Sequence, residues 1–114
     1  MNEETLVALK GSIKKWEDIR DGREDDLGPR NCPLCQLFFY QSPQCVDCPV
    51  KEHTGEDCCR GTPYTVYRSF QDDYRYDHGG LYPRAYNNPE TVEKRRRLAQ
   101  AEVDFLTFLL PKQE

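Results

Sequence analysis

Apolar residues near the start of the chain recur at helical spacing. Leu6, Leu9, Ile13 and Trp16 lie three, four and three residues apart, on one face of a helix. Val7 and Ile19 widen that face, while Lys10, Lys14, Lys15, Glu17 and Asp18 fall mostly outside it. Asn2 can cap the helix, Glu3 and Glu4 sit at its positive end, and Gly22 stops it, so residues 1–22 read as the N-terminal helix. Gly11 weakens its middle by about 1 kcal/mol relative to Ala. The far end of the chain carries the clearest pattern. Val92, Ala99, Val103, Leu106 and Leu110 form one stripe, broadened by Leu98, Phe105 and Leu109. Asn88 caps this helix, Pro89 opens it and Pro111 ends it, which predicts helix over 88–110. Between them, Thr62-Pro63 starts a helix over 62–76, with Tyr64, Tyr67, Phe70 and Tyr74 three, three and four apart. The aromatic run Gln36 to Tyr40 reads as a short strand that Pro43 ends, and 21–31 and 77–88 read as loops.

Neither terminal helix can bury its stripe alone. The economical architecture is mainly α: the N- and C-terminal helices packed together, with a small cysteine-rich module of the zinc-knuckle kind, residues 32–61, inserted between them. At 114 residues the chain fits one domain. A mean hydropathy of −0.89 leaves little apolar material for a core. The apolar run Phe105 to Leu110 is broken by Thr107 and is far below the ~20 residues of a membrane span. The acidic start lacks the basic and apolar regions of a signal peptide, which points to the cytoplasm and to no membrane partner. With 16 basic and 20 acidic residues, the net charge is −4, unlike that of a phosphate-backbone binder.

The six cysteines change the picture most. All lie between Cys32 and Cys59. A thin core needs a staple, and a reducing compartment favours metal over disulfides. Cys32-Pro-Leu-Cys35 and Cys45-Val-Asp-Cys48 are two C-x-x-C pairs, the pattern that converges four thiolates on one ion. One Zn²⁺ suits such a soft, redox-silent cage better than an iron–sulfur cluster does. Cys58 and Cys59 are adjacent and cannot easily both enter one tetrahedron. Four of Cys32, Cys35, Cys45, Cys48 and Cys59 are therefore the expected ligands, with Cys59 the alternate. His53 and His78 lack paired ligand spacing and read as solvent-facing.

The order of motifs ALKGSIKKWEDI, NCPLC, CVDCPVKEHTG, CRGTPY and AEVDFLTFLLP resembles a family of small bacteriophage and prophage proteins. The resemblance covers residues 8–19, 32–67 and 98–111. It implies that Cys32, Cys35, Cys45, Cys48 and Cys59 belong to the family pattern and Cys58 does not. It also implies expression inside a bacterial host cell. The family carries no assigned activity.

No G-x-S-x-G, H-E-x-x-H or P-loop occurs, and a closed thiolate site leaves no open position for water, so an enzyme is not expected. The leading expectation is a zinc-binding protein that acts through a host or phage protein partner, modulating host machinery or inhibiting a defence system in the manner of an anti-CRISPR. Tyr64, Tyr67, Tyr74, Tyr76 and Tyr82 are its candidate contact residues, since tyrosine buries large area at modest entropy cost. The alternative is a zinc-finger-like nucleic-acid binder using Lys94, Arg95, Arg96 and Arg97. Against it, that run can pair with Glu90, Glu93 and Glu102 on a solvated face. Phe105, Phe108 and Leu109 lie on more than one helix face and could support a homodimer.

Overall fold

The computed structural model describes residues 1–40, 44–56, 59–85 and 88–111. Among the described residues, five α-helices carry the fold: α1 (Glu3–Arg20), α2 (Pro33–Phe38), α3 (Pro49–Thr54), α4 (Pro63–Asp77) and α5 (Pro89–Phe108). Two 3-10 turns, Gly28–Asn31 and Pro83–Ala85, lie in the long connections. No strand occurs among the described residues.

The predicted caps operate. Asn2 Oδ1 accepts the Thr5 N–H at 2.8 Å, Thr62 Oγ1 accepts the Tyr64 N–H at 3.3 Å, and Asn88 Oδ1 accepts the Glu90 N–H at 2.9 Å. Each satisfies a donor that the first helical turn leaves unpaired. At the other end of α1, Gly22 adopts φ +78°, where a side chain would be strained.

α1 and α5 pack along each other, as expected from their stripes. α2 leans on α1, and α4 lies on α5. The shared core contains Leu9, Trp16 and Ile19 of α1, Leu34 and Phe38 of α2, Val50 of α3, Tyr67 of α4, and Ala99, Val103 and Leu106 of α5. Trp16 meets Tyr64 and Tyr67 edge-on, at centroid distances of 5.7 and 5.0 Å. Arg20 Nη1 donates to Gln100 Oε1 at 2.8 Å and ties α1 to α5 across the surface. No described helix is long and apolar enough to cross a membrane.

Three expectations need correction. The strand over Gln36–Tyr40 is instead the end of α2 and the turn after it. Cys32 caps that helix and Pro33 occupies its first position, and this helix start overrides the aromatic β preference. Cys48-Pro49 repeats the same start in α3, a helix not foreseen within the module. The buried face of α1 is also rotated from the apolar stripe. It comprises Thr5, Ala8, Leu9, Ser12, Lys15, Trp16 and Ile19, whereas Val7 is exposed. Lys15 is inside because Asp26 from the following loop meets its ammonium at 2.9 Å. Glu102, expected on a solvated face, is buried as well.

Gly11 has a reason invisible in the sequence. A Cβ added there would stand 3.0 Å from Pro33 Cγ and 3.3 Å from Pro33 Cβ. The ring of Pro33 is part of its backbone and cannot swing away, so α1 and α2 would have to part. Gly11→Ala should therefore lose about 1 kcal/mol rather than gain the ~1 kcal/mol of helix propensity. A raised melting temperature in this variant would show that the helices separate without cost.

Candidate metal centre

The cysteines reach one place from three segments of the chain. Cys32 caps α2 with extended backbone, and its Sγ accepts the Cys35 N–H at 3.4 Å. Cys48 precedes α3 with extended backbone, at the same place relative to its helix as Cys32. The Cys45 N–H donates to the Phe38 carbonyl at 2.8 Å, and the Cys48 N–H donates to the Cys45 carbonyl at 3.1 Å. These two bonds fold the second C-x-x-C against the end of α2. Cys59 is fixed from behind, since the Thr62 hydroxyl donates to its carbonyl at 2.6 Å. Cys45, Asp47 and Cys59 adopt φ values of 62°, 67° and 60°. Left-handed backbone at non-glycine residues is uncommon and concentrates where surrounding structure enforces it, often at functional sites.

Cys32, Cys35, Cys45, Cys48 and Cys59 all line one cavity of about 250 Å³. Ser12, Lys15 and Trp16 of α1 form one wall, and Glu102 and Leu106 of α5 form another. Cys45 and Cys48 are buried, the other three partly so, and none of the five is in a disulfide. The Cys32 thiol is pulled down to about 6, first by its hydrogen bond with Cys35, with help from the charge of Lys15 and the Ser12 hydroxyl. Cys35 is pushed up by the same hydrogen bond, and by burial. Cys48 and Cys59 are raised chiefly by burial. Burial, and then the charge of Cys32, lift Glu102 to about 8. A cation bound among these sulfurs would displace the protons of the thiols that hold it.

The donor chemistry fits a soft divalent ion: five sulfurs, a backbone N–H aimed at one of them, and an apolar surround. The gathering is incomplete. Among the described residues, no three His, Cys, Asp or Glu side chains already stand together as an ion-holding group. Holding one ion requires the sulfurs to close in from the cavity walls.

The remaining candidates are dispersed. Cys58 lies outside the described residues. Neither histidine lines the cavity: His53 packs on Phe105 and Phe108, and His78 stacks on Tyr74 at 3.9 Å. Of the five tyrosines, Tyr67 and Tyr74 are buried, because the helical period of α4 turns them toward the core. Tyr64 is half-buried against Trp16, and Tyr82 lies beneath Arg75 at 4.2 Å. Tyr76 alone of the five is fully outward, 90% exposed. The basic run is split too. Lys94, Arg96 and Arg97 are exposed, while Arg95 is buried against Gly22, with its Nε unpartnered. Phe108 is exposed, and Phe105 and Leu109 are half-buried.

The residues missed in the sequence are Ser12, Lys15, Asp26 and Glu102. Their signal was a polar side chain standing in a helical ladder of apolar ones: Ser12 and Lys15 between Leu9 and Ile19, and Glu102 between Ala99 and Leu106. Asp26, in an acidic loop, carried no such mark. Comparison with protein-family models, with curated proteins and with solved structures gave no significant match.

Proposed function

We propose that this chain is a small, non-enzymatic, phage-type protein that holds one zinc ion through four of its cysteines and acts by binding another protein in the cytoplasm of a bacterial host. The observation that carries the metal is the convergence of Cys32, Cys35, Cys45, Cys48 and Cys59 on one cavity from three segments of chain. Zinc there would be structural. It would tie α2 and α3 to the α1–α5 pair and so present a firm outer surface. That surface offers large apolar side chains with no role in the core, Tyr76, Val66 and Phe108 among them. Modulation of host machinery, or inhibition of a defence system in the anti-CRISPR manner, is the role that fits such a molecule. The nucleic-acid alternative is weaker on two counts: the net charge is −4, and Arg95 faces inward.

Native and denaturing mass spectrometry of protein purified without added metal tests the first half. The expected result is one zinc per chain, lost on denaturation with no hydrogens missing from the thiols. A brown protein carrying iron and sulfide, or a mass short by two hydrogens per bridge, would overturn it. For the second half, a host protein should be retained reproducibly from bacterial lysate by the intact protein and lost with Tyr76→Ala. A shift of DNA or RNA at low salt that weakens steeply with salt would favour the alternative instead.

A further inference from the structure

We propose that Ser12 is a positioning residue of this metal centre, its hydroxyl donating a hydrogen bond to Cys32 Sγ from the α1 wall of the cavity. The inference rests on the metal reading above and assigns helix α1 a part in a site that the cysteine pattern places wholly in residues 32–59.

Ser12 is 1% exposed, in the middle of a helix, on a face otherwise given to core packing. A serine there carries a desolvation cost that alanine would avoid, unless its hydroxyl is used. It is used twice. Its Oγ accepts the Leu34 N–H at 3.2 Å, one of the donors that the first turn of α2 leaves unpaired. The same oxygen stands 3.7 Å from Cys32 Sγ. A metal-bound thiolate has no proton to give, so in the loaded protein the hydrogen of this pair belongs to Ser12. The Leu34 N–H fixes the oxygen and leaves its hydrogen free to point at sulfur. Three residues on, Lys15 places its ammonium on the same wall, anchored at 2.9 Å by Asp26. Four thiolates around one Zn²⁺ leave excess negative charge, and this wall meets it with an O–H dipole and a cation. Outer-layer hydrogen bonds of this kind hold a ligand in orientation and typically account for 10–100-fold in metal affinity.

The test uses the full chain as wild type, Ser12→Ala and Ser12→Thr. Zinc affinity is measured by competition with a chromophoric chelator, and each protein is also loaded with Co²⁺ for its absorption spectrum. Ser12→Ala should bind zinc at least about tenfold more weakly. It should also move the thiolate-to-cobalt charge-transfer band to longer wavelength, because an unsupported thiolate gives up its electrons more easily. Ser12→Thr, which keeps the hydroxyl, should restore both. The band position reports on the sulfur itself, so a loss of packing would not shift it. If Ser12→Ala matches wild type in affinity and band position, the inference is overturned while the metal reading stands. If wild type takes up neither zinc nor cobalt, the metal reading itself fails.

Discussion

Replacing Lys15 with Met is expected to lower the folding stability by about 3–5 kcal/mol, a fall of more than about 10 °C in Tm. The reason is the partner left behind. The Lys15 and Asp26 side chains are only 4% and 2% exposed, and their closest approach is 2.9 Å. Asp26 also accepts the Gly28 N–H at 3.0 Å through its carboxylate and the Gln71 Nε2–H at 2.9 Å through its carbonyl. It therefore pins the loop after α1 to both α1 and α4. Without the ammonium, a carboxylate would remain where water cannot reach it. The double variant Lys15→Met with Asp26→Asn should recover most of the loss, since exchanging both ions for neutral groups of similar shape is commonly close to neutral. Chemical denaturation of the two single variants and the double variant gives the coupling directly. A Lys15→Met protein within about 0.5 kcal/mol of wild type would mean that water enters the site freely.

On the proposed metal reading, the second large effect is metal removal. Structural zinc can contribute apparent folding energy on the order of 10 kcal/mol in a module of this size. Its loss should fall on the short elements. α2 and α3 have six residues each, too few to persist as helices alone, and both begin at a cysteine. α1, α4 and α5 meet through Leu9, Tyr67, Ala99 and Val103, none of which lines the cysteine cavity. Complete chelation should thus remove only the minor part of the helical circular dichroism due to α2 and α3. Tryptic cleavage after Lys51 and Arg60 should accelerate at least tenfold, roughly the effect of a 1.4 kcal/mol change in local opening. Cleavage and dichroism that stay unchanged once the metal is gone would remove the structural role.

How far the sequence could be read follows from how local each signal is. The ends of α1, α4 and α5 were legible because Asn2, Thr62-Pro63 and Asn88-Pro89 act on their own first turns. The pairing of α1 with α5 followed from two stripes that each need a cover. Convergence of the cysteines was legible as spacing, but the cavity walls were not. Lys15 reads as a surface lysine until Asp26 is brought to it, and Glu102 reads as a surface glutamate until α1 and the cysteine module close over it. Arg95 looked like part of a basic patch until Gly22 made room for it. Each of these side chains owes its burial to a residue distant in sequence, and no window along the chain contains both. The tyrosines show the opposite limit. The same period that predicted α4 also turns Tyr67 and Tyr74 inward, so that pattern argued against their being contact residues from the start.

The partnership of α1 with α5 also imposes an order on synthesis. The Arg20–Gln100 bond spans 80 residues, and the core face of α1 is not fully covered until a helix that begins at Pro89 has been made. At about 5–20 residues per second, a ribosome needs roughly 3–14 s to make the chain between them. Through that interval the cysteines have emerged while the α5 wall of their cavity does not yet exist. The nascent chain must keep an uncovered apolar helix and a set of reactive thiols out of trouble at the same time. An early ion, gathered by the cysteines before α5 arrives, would protect the thiols and leave only the α1 face waiting.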